Sequence, residues 1–114
     1  KGTVVMSMYK GDFDITKTIR IIERLKSQLL SNVSALFSNM AEGNTGDNNE
    51  NIDILADIII LSYLLSDRLG VSNEALDVKL INKLRLASLQ DAENSEWVQE
   101  ILTLSKHLNK SRQI

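Results

Sequence analysis

Glu50, Asp53 and Asp57 are the residues of this chain best suited to holding a cation. At about 100° per residue, a helix brings all three within roughly a 60° arc of one face. Hard cations such as Mg²⁺ bind carboxylate oxygens of this kind, usually one or two per ion, with waters and substrate phosphates completing the shell. The same residues have a plainer reading. Glu50 and Asp53, near the start of a helix, interact favourably with its positive end and with water. Asp57 is expected deeper, since it stands between Ala56 and the run Ile58, Ile59, Ile60, where an unpartnered charge is costly. The trio belongs to a wider block: residues 41–67 hold six acidic residues and no Lys or Arg, in a chain whose net charge is only −2.

The basic residues supply a second candidate site. Lys79 and Lys83 are one helical turn apart with Arg85 nearby, and they fit either a phosphate contact or a solvated face bracing Asp77. His107 is the single histidine, so a His-rich metal site is excluded and a surface or capping role is expected. Trp97 shares helical spacing with Ile101 and Leu104 and reads as a core or dimer anchor. The absence of Cys removes disulfides, thiolate zinc sites and a cysteine nucleophile, and fits an intracellular, cytoplasmic protein. A near-balanced charge argues against nucleic acid as a partner. No P-loop, dinucleotide fingerprint or nucleophile elbow is present.

The elements that position these residues are helical. Apolar residues recur at Ile15, Ile19, Ile22, Leu25, Leu29, Val33, Leu36 and Met40, in steps of three and four that define a stripe, with Asp14 or Thr16 as its cap. The segment EGNTGDNNEN at 42–51 is a loop, rich in residues that tolerate turns. A second helix is expected over 50–69, capped by Asp47 or Asn48 and stopped by Gly70. Ser72 caps a third, carrying Leu76, Leu80, Leu84 and Ala87. After a polar break at 90–95, Asn94 or Ser95 caps a fourth, carrying Trp97, Ile101, Leu104 and Leu108. The most apolar stretch, 52–65, contains Asp53 and Asp57 and is too short for a membrane span, which needs about 20 residues.

The second helix is apolar nearly all round. Ile52, Leu55, Ile59 and Tyr63 lie on one side, and Ile54, Ile58, Leu61 and Leu65 on another. Such a helix must be surrounded, and 114 residues provide too few neighbours, so part of it is expected to pack against a second copy in a homodimer. Ser27, Ser31, Ser34 and Ser38 form a seam of small residues on the first helix, expected to lie against Asp57 and satisfy it without metal.

The run DILADIIILSYLLSDRLGVS at 53–72 resembles the third helix of MazG-like proteins, a family of all-α nucleoside triphosphate pyrophosphohydrolases. Its LAD and the spacing to RLG carry the resemblance, which extends over about 14–110. The resemblance implies a four-helix MazG-like domain over 14–110, its bundle expected to be completed by the homodimer; residues 1–13 are expected to form an N-terminal arm and 111–114 a tail. It also implies hydrolysis of the α–β bond of nucleoside triphosphates by Mg²⁺ held on EExxE and ExxD motifs, with Lys79, Lys83 and Arg85 towards the phosphates. In the register set by LAD and RLG, Asp57 takes the Asp of ExxD, but Ile54 stands at its Glu. Within LLSNVSALF, Ser31, Asn32 and Ala35 occupy the three glutamate positions of EExxE. Glu50 and Asp53 spell ExxD literally, in a register that abandons the downstream agreement. The expectation is a relative with a degenerate site, non-catalytic or catalytically impaired, that binds nucleotide or a partner. The alternative is an active Mg²⁺-dependent enzyme with an atypical site made by Glu50, Asp53 and Asp57.

Overall fold

The computed structural model describes residues 2–43, 48–90 and 95–112, with side chains over 15–43, 48–89 and 96–111. Four helices follow in order: α1 (Gly2–Ala41), α2 (Asn49–Arg68), α3 (Asn73–Gln90) and α4 (Ser95–Arg112). No strand occurs among the described residues. The chain forms two compact units, residues 1–71 and 72–114, one built on packing of α1 against α2 and the other on α3 against α4.

α1 begins at Gly2, well before the cap expected at Asp14 or Thr16, and it continues through the segment read as an arm. The chain has no Pro, the residue that most strongly breaks a helix interior. α4 likewise continues to Arg112, into the residues read as a tail. Asp47 and Asn94, two of the expected caps, lie outside the described residues.

The helix ends follow local rules. Gly43 and Gly70 adopt positive φ, 64° and 88°, the left-handed conformation that costs glycine least. At Gly70 the closure is complete: the Gly70 N–H donates to Asp67 O at 3.0 Å and the Val71 N–H to Ser66 O at 3.0 Å. These are the paired bonds of a Schellman C-cap. Ser66 Oγ adds a bond to Val71 O at 3.2 Å. Immediately afterwards Ser72 Oγ accepts the Ala75 N–H at 3.1 Å, capping α3 as its position predicts.

Among the described residues, four hydrophobic side chains are buried: Leu25, Ile54, Leu61 and Leu84. Three of them join α1 to α2. Around Leu25, the α1 stripe continues through half-buried Ile22, Leu29, Asn32, Leu36 and Asn39; around Ile54 and Leu61, the α2 stripe continues through half-buried Asn51, Ile58 and Leu65. Of the two apolar sides of α2, the one carrying Ile54, Ile58, Leu61 and Leu65 therefore faces α1. Asn39 Nδ2 donates to Asn51 Oδ1 at 3.2 Å, a partly buried cross-link near the connection. Because both helices rise equally per residue, counting away from this pair sets Leu36 level with Ile54 and Val33 level with Asp57.

An antiparallel pair presents its two helices from opposite ends. Residues on the same rotational side of each buried stripe therefore emerge on the same side of the pair. At about 100° per residue, Leu30, Phe37 and Met40 of α1 and Ile52, Leu55 and Ile59 of α2 share one flank of the hairpin. Ser31, Ala35 and Ser38 of α1 and Glu50, Asp53, Asp57, Ile60 and Leu64 of α2 share the opposite flank.

Candidate functional site

Glu50, Asp53 and Asp57 stand on one flank of α2, and all three are exposed. The depth expected for Asp57 is corrected here. Its sequence neighbours Ala56 and Ile58 do not enclose it, since successive side chains on a helix point about 100° apart. The serine seam is corrected with it: Ser27, Ser31, Ser34 and Ser38 are all exposed, and the seam runs along the side of α1 turned from the α2 contact. Asp57 needs no buried partner, because it stays in water. From Glu50 to Asp57 the helix rises about 10 Å. Among the described residues no group of three or more His, Cys, Asp or Glu is arranged to hold a metal ion.

Ser31 and Ala35 on the same flank, and Asn32 in the stripe beside it, contribute little that binds metal. Ser31 is exposed, Ala35 has no donor, and half-buried Asn32 spends its side-chain N–H on Gln28 O at 2.9 Å. Ile54, only 8% exposed, is part of the core joining the two helices. None of these four residues offers a carboxylate oxygen.

On α3, Lys79, Lys83 and Arg85 are all exposed. Lys79 and Lys83 lie one turn apart on a shared face and can meet one anion together. Arg85 is two positions beyond Lys83, about 200° round the helix, so it points to the other side of α3 and does not join them. Spacing alone contained that separation. His107 is exposed, as expected of a surface residue, and Trp97 is 45% exposed, short of a fully buried core anchor. An open groove along α4, lined by Gln99, Glu100, Thr103, Leu104 and His107, includes none of the metal or phosphate candidates. Its side chains follow one another at helical spacing, and the sequence marked only Leu104 and His107 among them, neither as part of a binding groove.

A family model described as the MazG-like family matches residues 15–101. The chain belongs to the MazG-like family. The match spans α1 from Ile15, α2, α3 and the start of α4, and so takes in every candidate metal and phosphate residue. It supports a relation to the nucleoside triphosphate pyrophosphohydrolase superfamily. No curated protein and no solved structure matches the chain. Among the described residues no helix is long and apolar enough to cross a membrane.

Magnesium is the ion this family's chemistry implies, and among the described residues no cluster of three or more His, Cys, Asp or Glu is placed to hold it. Ile54 is committed to the core, and Ser31, Asn32 and Ala35 carry no carboxylate. An alkyl group or a methyl cannot ligate a hard cation, and neutral hydroxyl and amide oxygens lack the charge that makes carboxylates effective.

Proposed function

We propose that this MazG-like domain is a non-hydrolysing relative of the nucleoside triphosphate pyrophosphohydrolases, acting as a cytoplasmic homodimer that recognises a nucleotide without cleaving it. One observation carries the reading. Ile54, at the position of a metal-binding glutamate, is among the buried side chains that fasten α2 to α1. A residue that serves the core cannot also supply a ligand oxygen, and restoring one there would cost packing. Lys79 and Lys83, exposed on one face of α3, are assigned to the phosphates of the ligand, each as a flexible point charge.

The experiment is a panel of ribo- and deoxyribonucleoside triphosphates with Mg²⁺ or Mn²⁺. It measures pyrophosphate release and thermal shift side by side, with Asp57→Ala and Lys79→Ala/Lys83→Ala variants. The expected outcome is no release above background that depends on Asp57, and a rise in melting temperature with at least one triphosphate that the double lysine variant loses. Pyrophosphate release abolished by Asp57→Ala would overturn the proposal in favour of a hydrolase with an atypical Glu50, Asp53 and Asp57 site. Neither release nor a shift would leave no nucleotide to recognise, and would overturn it too.

A further inference from the structure

We infer that Trp97 is the platform for the base of the nucleotide whose phosphates meet Lys83 and Lys79, so that the ligand lies along one flank of the α3–α4 hairpin. This rests on the nucleotide recognition proposed above and adds how the base is held.

Four residues separate Gln90, the end of α3, from Ser95, the start of α4. The two helices pack on each other, so over so short a connection they run antiparallel. The side of α3 facing α4 centres on buried Leu84, with Asp77, Leu80, Ile81 and Ser88 half-buried around it. The side of α4 facing α3 centres on half-buried Ile101 and Ser105, with Val98 and Leu108 in the same stripe. At about 100° per residue, Lys79 and Lys83 fall on the same rotational side of the first stripe as Trp97, Glu100, Leu104 and His107 do of the second. In an antiparallel pair these six share one flank. Arg85, Leu102 and Lys106 fall on the other.

The order along that flank fits an extended nucleotide. Trp97 is two residues after Ser95, while Lys83 is seven and Lys79 eleven residues before Gln90. At about 1.5 Å per residue, Lys83 stands about 7.5 Å beyond Trp97 along the hairpin, and Lys79 about 6 Å further. An aromatic ring is followed by two cations, the order in which a nucleotide presents base, ribose and phosphates. Trp97 is 45% exposed, enough to offer a ring face, and bases of every kind stack on such faces. Glu100, one turn beyond Trp97, lines the groove that continues past Leu104 to His107. Its carboxylate repels phosphate and accepts hydrogen bonds from ribose hydroxyls, which sets the same polarity. Among the described residues neither lysine enters an ion pair, so both are available to an anion.

The chain has one Trp, so its tryptophan fluorescence reports on this ring alone. A nucleoside triphosphate that raises the melting temperature is expected to quench it. Inorganic tripolyphosphate, which offers charge to the lysines but no base, is expected to leave it unquenched. In isothermal titration, Trp97→Leu should bind the triphosphate at least about fivefold more weakly, and Trp97→Phe, which restores a ring, should recover most of the loss. Leu102→Ala, on the other flank and 39% exposed, should bind as the unaltered protein does, and far-UV circular dichroism checks that each variant keeps its helices. A triphosphate that binds through the lysines without quenching, quenching by tripolyphosphate alone, or undiminished binding by Trp97→Leu overturns the base platform while leaving nucleotide recognition standing. Equal weakening by Leu102→Ala overturns it in the same way. If no triphosphate of the panel binds, both readings fall.

Discussion

Replacing Ile54 with glutamate would rebuild the ExxD spacing with Asp57, and the structure predicts that the protein cannot accept it cheaply. Ile54 is 8% exposed, next to α1 and in the same core as Leu25 and Leu61. Losing the buried alkyl group costs about 2–3 kcal/mol. Taking a carboxyl out of water without a partner adds about 1–3 kcal/mol. A deficit of about 3–6 kcal/mol is a large share of the roughly 5–15 kcal/mol that holds a domain folded. Ile54→Val, which keeps the shape and loses one methylene, should cost only about 0.5–1.5 kcal/mol. Urea denaturation followed by circular dichroism measures both. The deficit of Ile54→Glu should also depend on pH. Burial disfavours the charged form, so the folded-state pKa of the new carboxyl lies above its unfolded value. Its relative stability is then greatest below the unfolded pKa and is lost as pH rises through the folded one, so the variant is weaker at neutral pH than in mild acid. A loss below about 1 kcal/mol for Ile54→Glu, or a loss that millimolar Mg²⁺ restores, would refute the argument that packing has displaced the ligand.

The remaining predictions concern residues that the structure places in water or at helix ends. Asp57→Ala and Ser31→Ala should each change stability by no more than about 0.5 kcal/mol, because both are exposed; a loss above that for Asp57→Ala in thermal denaturation would reveal a partner for it. Ser72→Ala should cost about 1 kcal/mol through the lost cap of α3. Gly70→Ala should cost about 1–2 kcal/mol although nothing lies within 4 Å of the added Cβ, since its φ of 88° carries the whole penalty; a stability equal to that of the unaltered protein would refute the backbone argument.

Helix identity was legible in the sequence because three- and four-residue spacing and the caps at Gly70 and Ser72 are local signals. The start of α1 was not, because the apolar stripe marks where a helix is packed and not where it begins. Which side of α2 is buried was also illegible. Ile52, Leu55 and Ile59 have the same spacing as Ile54, Ile58 and Leu61, and only the partner stripe on α1 chooses between them. Asp57 was misread for a related reason. Its sequence neighbours are aliphatic, yet two of them point elsewhere on the helix and the side it occupies is open. The separation of Arg85 from Lys79 and Lys83 was, by contrast, present in the numbering. That Ser31, Asn32, Ala35 and Ile54 carry no carboxylate could be read directly, but the use made of Ile54 in the core needed coordinates.

Ile58, Ile59 and Ile60 are identical in chemistry and consecutive in the chain. Ile58 is half-buried towards α1, Ile59 lies on the apolar flank and Ile60 among the acids. One isoleucine thus serves the joint between the helices, while its two neighbours meet solvent on opposite flanks. A change at Ile60 can therefore alter the acidic side without touching the contact that holds α1 to α2.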